Sequence, residues 1–108
     1  MPRRLLPRSE CVPLERLEMK LIWDELKRQK TLKERGLDFA DAAIVFAGEQ
    51  FDLIDDKYDY GEIRYLTFGF LDGRAVTVVW TPRIDARRII SMRYVHADEL
   101  EKRKRSLD

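Results

Sequence analysis

Apolar and polar residues alternate along the second half of the chain in a pattern typical of β-strands. Two such runs, residues 64–71 and 74–81, are joined by an Asp-Gly pair, which between apolar runs is the strongest short-range signal for a β-hairpin. Pro82 cannot donate a ladder hydrogen bond and is expected to end the second strand. A third run, residues 87–94, completes a predicted antiparallel meander.

Successive side chains of a strand point to opposite faces of a sheet, so each run divides into two sets. Arg64 is expected to share its face with Phe68, whereas strict alternation places Arg88 and Arg93 on opposite faces. One face looks apolar and the other mixed, which predicts a sheet covered by helices on one side and open on the other. The mixed face is expected to carry Tyr65, Thr67, Thr77, Ser91 and Arg93.

Helical patterns occur at both ends of the chain. Asp24 is expected to cap a helix that runs to Arg35 and is followed by a glycine. Asp38 is expected to cap a shorter helix, residues 39–46, whose apolar positions recur at i, i+3, i+4 and i+7. A terminal helix is predicted over residues 97–107, because acidic residues come first and basic residues last, as suits the helix dipole.

Two short segments complete the predicted fold. Residues 51–55 are expected to form the first strand of the sheet, and residues 20–23 form a short strand or an extended lead-in. The fold class is therefore α+β, with two N-terminal helices, a four-stranded antiparallel meander sheet and a C-terminal helix in two layers. Residues 1–18 are rich in proline and arginine and are expected to form a poorly ordered arm before a single domain, residues 19–108.

The charge and the cysteine content bear on the cellular compartment of the protein and on whether it can bind nucleic acid. Charged residues make up 38% of the chain, yet the formal net charge is only +1, so any binding of nucleic acid must be local. Cys11 is the single cysteine, which fits a reducing cytosol. No run of residues is apolar and long enough to span a membrane, and a cytoplasmic location is expected.

Few kinds of catalytic chemistry fit the residues present. The sequence has one histidine, one cysteine and no paired carboxylates at ligand spacing, so no metal site is predicted. It also has no glycine-rich loop that could bind the phosphate of a cofactor, so no such cofactor is predicted. Arginine, lysine and tyrosine remain, and these can support cleavage of RNA by its own 2′-OH. His96 fits a general base, a helix cap or an exposed residue, and Trp23 and Trp80 fit either base stacking or core packing.

Several motifs, in order, resemble the BrnT family of toxins, over about residues 19–105. They are IWDELKRQKTLKERG at 22–36, LDFADAAIVF at 37–46, YGEIRY at 60–65, Gly69, VTVVWT at 76–81 and RIISMR at 88–93. The resemblance implies a RelE-like fold and a metal-independent ribonuclease that arrests translation. It also implies neutralisation by a BrnA-like antitoxin with a ribbon-helix-helix domain, through which alone the complex would bind operator DNA and repress its own operon.

The resemblance also supplies candidate site positions. Matched family positions are Trp23, Asp24, Lys27, Gly36, Glu62, Arg64, Arg88, Ser91 and Arg93. The chain departs from the family pattern at Thr31, where the family commonly has asparagine, and at Arg35, where it commonly has the histidine that is its most obvious general base.

These positions give a working hypothesis for the site. Arg64 and Arg93 are expected to hold the scissile phosphate, and Tyr65 or His96 to transfer protons. Substrate-binding residues are expected to be Lys27, Lys30, Arg35 and Arg88. Two alternatives stay open: a catalytically weak or inactive member that serves as the antitoxin's partner in an autorepressing complex, and an RNA-binding module that does not cleave.

Overall fold

A computed structural model describes residues 20–55 and 61–107 of the chain. The predicted arm, residues 1–18, lies outside the described residues. In chain order the elements are β1 (Lys20–Trp23), α1 (Glu25–Arg35), a 3-10 helix (Phe39–Asp41), α2 (Ala42–Ala47), β2 (Phe51–Ile54), β3 (Tyr65–Leu71), β4 (Arg74–Arg83), β5 (Ala86–Tyr94) and α3 (Ala97–Arg105).

The strands form one five-stranded mixed sheet in the order β1-β5-β4-β3-β2. β1 is parallel to β5, while the other neighbours are antiparallel. The prediction of two N-terminal helices beside a four-stranded antiparallel sheet is therefore wrong. The sequence pattern did not indicate that β1 belongs to the sheet, because β1 has only four residues. Its partner β5 is also distant in sequence, with Lys20 opposite Ala86.

The predicted hairpin of β3 and β4 is confirmed. Asp72 and Gly73 both have positive φ, 52° and 79°, as a type I′ hairpin turn requires. The expectation that Pro82 ends the strand is wrong, because β4 continues to Arg83 and Pro82 pairs with β5. Pairing between β3 and β4 begins only at Trp80, so Pro82 lies where β4 has one described neighbour, a position that tolerates proline.

A β-bulge between β4 and β5 decides which β5 side chains share a face. The register shifts between Val79 and Trp80, so that these residues pair with Ser91 and Ile89 and leave one additional residue on β5. Arg88 and Arg93 consequently point to the same face, contrary to the strict alternation predicted from the sequence. Ile89 and Met92 lie on either side of the bulge, and both are buried, at 2% and 0% exposure.

One face of the sheet, here called the core face, carries the hydrophobic core. The buried core residues are Leu37, Phe39, Ala42, Val45, Leu71, Val76, Val78, Ile89 and Met92. The apolar stripe predicted for residues 39–46 included Phe39, Ala42 and Ala43. Phe39 and Ala42 are buried as expected, but Ala43 is exposed and Val45 is buried instead. The cause is the opening 3-10 turn, which has three residues per turn and shifts the phase of the stripe.

The opposite face is here called the α3 face, because α3 lies on part of it. Arg93 forms an ion pair with Glu99 of α3, and the Arg103 guanidinium lies 5.8 Å from the centre of the Phe68 ring. The predicted mixed face is wrong in part: Tyr65 and Thr67 lie on the core face, whereas Arg93 lies on the α3 face. Thr67 is tolerated in the core because its hydroxyl is hydrogen-bonded.

Helix α1 is held by polar contacts, since none of its residues is buried. As predicted, the Asp24 carboxylate caps its first turn and Gly36, at φ 71°, follows its last. Arg28 donates two hydrogen bonds to Asp38, at 2.8 and 3.0 Å. This pairing holds the pKa of the Asp38 carboxyl below its ordinary value and ties α1 to the 3-10 helix.

Gly69→Ala should destabilise the fold, because Gly69 lets α2 approach β3 closely. A Cβ atom at Gly69 would lie 2.8 Å from Val45 Cγ1 and 3.3 Å from the Glu49 carbonyl oxygen. Overpacking of this kind costs about 1–3 kcal/mol. Urea denaturation measures the loss in the free energy of unfolding.

Gly48→Ala is the matched control for this prediction. Its Cβ atom would have ordinary contacts, 3.7 and 3.9 Å from the Ile44 and Val45 carbonyl oxygens, and its effect should stay within about 0.5 kcal/mol. Equal unfolding midpoints for the two variants would contradict the packing argument.

Candidate functional site

Arginine side chains occupy two rows on the α3 face. Arg64 directly precedes Tyr65, which pairs with Trp80 of β4. The next residue of β4, Thr81, pairs with Arg88 of β5. Arg93 pairs with Thr77, four residues away along β4, which is roughly 13 Å at the rise of an antiparallel strand. Arg64, Arg88 and Arg93 therefore share one face, in two rows that are separated along the strands.

The strip of sheet between these rows is here called the arginine groove. Its floor is the half-buried row of Leu66, Val79 and Ser91. Its near wall consists of Glu62, Arg64, Arg83 and Arg88, and its far wall of Arg93 with α3. The groove thus joins a floor of two apolar residues and one serine to two walls that carry guanidinium groups.

A carboxylate lies between two guanidinium groups in the near wall. Glu62 accepts a hydrogen bond from Arg64 Nε at 3.3 Å and another from Arg83 Nη2 at 3.2 Å. The three side chains are 24–42% exposed, so solvent and a substrate can reach them. A carboxylate can accept a proton here while the guanidinium groups bind the oxygens of a phosphate.

The chain segment that carries this cluster is fixed by hydrogen bonds to the sheet. The Thr81 hydroxyl donates to the Ile63 carbonyl oxygen at 2.6 Å, and the Asp55 amide donates to the Arg64 carbonyl oxygen at 2.8 Å. Thr81 is itself buried at 1% exposure. Glu62 and Arg64 are therefore attached to β4 and β2 although they lie outside any strand.

The far wall depends on a two-point ion pair. Arg93 Nη2 and Nη1 donate to the two carboxylate oxygens of Glu99, at 2.6 and 3.1 Å. These hydrogen bonds lower the pKa of the Glu99 carboxyl, and they raise the pKa of the Arg93 guanidinium. The pair fixes the first turn of α3 to the row of Thr77.

The two residues predicted to transfer protons lie apart from the near wall. Tyr65 is on the core face, with its ring stacked 4.9 Å from the Trp80 ring. His96 precedes α3 and is exposed. Its neighbour Val95 is hydrogen-bonded to Ala75, six residues along β4 from Thr81, or roughly 20 Å.

The predicted substrate-binding residues of α1 are not in the groove. Lys27 and Lys30 are exposed on a helix that contacts β5 and the 3-10 helix, and their assignment to substrate stays a prediction. Arg35 Nη1 donates to the Met92 carbonyl oxygen at 2.7 Å. Because β1 covers β5 only as far as Ile89, Arg35 satisfies a backbone acceptor beyond the end of β1.

The tryptophans belong to structural clusters. The Trp80 indole donates to Thr67 Oγ1 at 2.7 Å, and its ring meets Phe46 edge to face at 5.6 Å. Trp23 packs against the core and donates to Glu25 at 3.0 Å. Of the two interpretations for these residues, the contacts agree with core packing.

The contact between Glu62 and Arg83 was not predicted from the sequence. Glu62 was noted only as a matched family position, and Arg83 follows the proline that was expected to end its strand. Only the hairpin register, continued past Pro82, could have suggested that these two residues are in contact.

In the part of the chain that the structure describes, no three His, Cys, Asp or Glu side chains are grouped so that they could hold a metal ion. None of the described helices is long and apolar enough to cross a membrane.

Acidification should release α3 from the sheet. The folded pKa of Glu99 is lowered, so the ion pair stabilises docking above the ordinary glutamate pKa of about 4.3. This stabilisation is lost as the pH falls through the lowered value. Amide hydrogen-exchange protection factors of α3, compared between neutral and acidic solution, should therefore fall.

Glu99→Gln provides the control for this pH dependence. The variant should show weak protection of α3 at both pH values, because its amide cannot form the ion pair. An α3 that stays equally protected in the variant would show that the Arg93 pair does not hold the helix.

Comparison with known proteins identifies the family. The family model described as the ribonuclease toxin BrnT of type II toxin-antitoxin systems matches residues 23–99. This range contains the whole near wall and the Arg93–Glu99 pair of the far wall. Among curated proteins, none matches the chain. Because the family model covers well over half of the chain, this protein belongs to the BrnT family of ribonuclease toxins of type II toxin-antitoxin systems.

Proposed function

We propose that this toxin cleaves RNA without a metal ion, at the near wall of the arginine groove. The observation that carries the proposal is Glu62, whose carboxylate is held at 3.2–3.3 Å between Arg64 and Arg83. Cleavage by an internal 2′-OH needs a proton acceptor and cations on the phosphate oxygens. This cluster offers both within a few ångströms, and its guanidinium groups supply the positive charge.

In the proposed reaction, the phosphate binds to Arg64 and Arg83 through its non-bridging oxygens. Glu62 accepts the proton of the ribose 2′-OH as the 2′ oxygen forms a bond to phosphorus. The bond from phosphorus to the 5′ oxygen breaks, and the leaving oxygen takes a proton from solvent. The products are a 2′,3′-cyclic phosphate and a 5′-hydroxyl end.

The arginines beside the cluster are proposed to bind the rest of the substrate. Arg88 pairs with Thr81, whose hydroxyl also accepts a 3.4 Å hydrogen bond from Arg83, so Arg88 lies beside Arg83 in the near wall. Arg93 is assigned to RNA binding at the far wall rather than to the same phosphate as Arg64. The separation of the two rows, roughly 13 Å, supports this division.

We further propose that the partner is a BrnA-like antitoxin with a ribbon-helix-helix domain, and that the complex represses its own operon. The sequence resemblance supports this proposal. A second function, as an inactive partner within the repressor complex, is favoured by one observation. Arg35 stands where the family commonly has histidine, and its guanidinium is hydrogen-bonded to the Met92 carbonyl oxygen, a poor arrangement for a general base.

Glu62→Gln should abolish cleavage while the protein stays folded. Loss of a general base lowers kcat by about 10²–10⁴-fold, and glutamine keeps the size of the side chain and can still accept a hydrogen bond from one of the two arginines through its single carbonyl oxygen. The assay follows a labelled RNA in EDTA and identifies 2′,3′-cyclic phosphate ends. Glu34→Gln, an exposed carboxylate on α1, is the matched control and should cleave normally.

The same assay separates the candidate functions. Wild-type cleavage that disappears in EDTA, or cleavage that survives Glu62→Gln, would contradict the proposed reaction. A wild-type protein that binds the antitoxin tightly but neither cleaves RNA nor arrests growth when expressed alone would support the inactive repressor partner.

A further inference from the structure

We infer that the basic end of α3 is a second RNA-binding subsite, which takes single-stranded RNA as it leaves the near wall. This inference rests on the proposed function and names how the substrate is held. The last turn of α3 carries four cations in succession, Lys102, Arg103, Lys104 and Arg105. The family match ends at Glu99, so these four residues lie beyond the matched region.

The cations of this helix end differ from the other arginines of the α3 face in their partners. Arg64, Arg83 and Arg93 are each paired with a glutamate. Among the described residues, Lys102, Lys104 and Arg105 form no ion pair with a carboxylate, and all three are exposed. Adjacent cations repel one another, and a polyanion such as an RNA strand relieves this repulsion.

Arg103 fixes the position of the basic end relative to the near wall. Its guanidinium lies 5.8 Å from the centre of the Phe68 ring. Phe68 follows Arg64 by four residues and points to the same face, which places the two roughly 13 Å apart. The half-buried Leu66 lies between them on the floor of the arginine groove.

The distance and the chemistry together favour RNA as the occupant. A strand bound at Arg64 and Arg83 can cross Leu66 and reach Arg103 within a few nucleotides. Guanidinium planes stack on unpaired bases, and lysines contact the backbone, which is how single-stranded RNA is commonly held. An acidic segment of the antitoxin is the competing occupant, and it is distinguished by the test.

The test compares two variants that each remove two positive charges, from different parts of the surface. The α3 variant combines Lys102→Gln and Arg105→Gln, which leaves Arg103 and Glu99 in place on the sheet. The control variant combines Lys33→Gln and Arg74→Gln, two exposed cations on α1 and at the start of β4. The probe is a fluorescein-labelled RNA of roughly 12 nucleotides, within the range of single-strand sites, and it is fully 2′-O-methylated so that it cannot be cleaved.

The α3 variant should bind this probe at least tenfold more weakly than the wild type at low salt. The slope of log K against log salt should become shallower by about 1.4, because two single-strand phosphate contacts are lost. The control variant should change affinity less than threefold. Arg103→Lys should lie between them, because it keeps the charge and loses the planar group.

Three outcomes would overturn the inference. Equal weakening by the α3 variant and the control variant would mean that only total charge matters. An unchanged affinity of the α3 variant would remove the subsite. RNA binding as in the wild type, together with lost antitoxin binding, would assign the basic end to the protein partner.

Failure of the nuclease proposal remains separate from these outcomes, because the probe cannot react. If Glu62→Gln still cleaves RNA but the α3 variant binds the probe weakly, the subsite stands and the assignment of the base falls. If the reverse is found, the base stands and the subsite falls.

Discussion

One β-bulge sets the relation between the core and the arginine-bearing face. By inserting one residue into β5 beside Val79 and Trp80, it lets Ile89 and Met92 both enter the core. The same shift brings Arg88 and Arg93, an odd number of residues apart, onto the opposite face. A regular strand would bury one of these arginines or expose one of the core residues. The separation of a packed face from a charged face therefore depends on this irregularity.

The charged face shows how a nearly neutral chain can present a local site for an anion. Its guanidinium groups are held by Glu62 and Glu99 at 2.6–3.3 Å. These carboxylates limit repulsion among the arginines and fix their geometry before a substrate arrives. Pre-formed positions of this kind reduce the cost of ordering long side chains on binding. Glu62 differs from Glu99 in that it contacts two arginines and borders the open groove.

Local features of the structure were predictable from the sequence, and long-range ones were not. The Asp-Gly turn and the caps at Asp24 and Asp38 act within a few residues, and the order of motifs was sufficient for the family. Parallel pairing of β1 with β5 and the bulge depend on contacts between distant segments. For the same reason the placement of Arg64 and Arg93 in separate rows, of Tyr65 on the core face and of Glu62 beside Arg83 was not predicted from the sequence.

Binding of RNA to the α3 face can be examined residue by residue with an NMR titration. Isotopically labelled toxin would be titrated with 2′-O-methylated RNA, and changes in backbone amide shifts would be followed for the whole sheet. We expect the largest changes at residues 62–66, in β4 near Thr81, and at Ser91 and Arg93. Changes confined to the two helices α1 and α2 would rule this out.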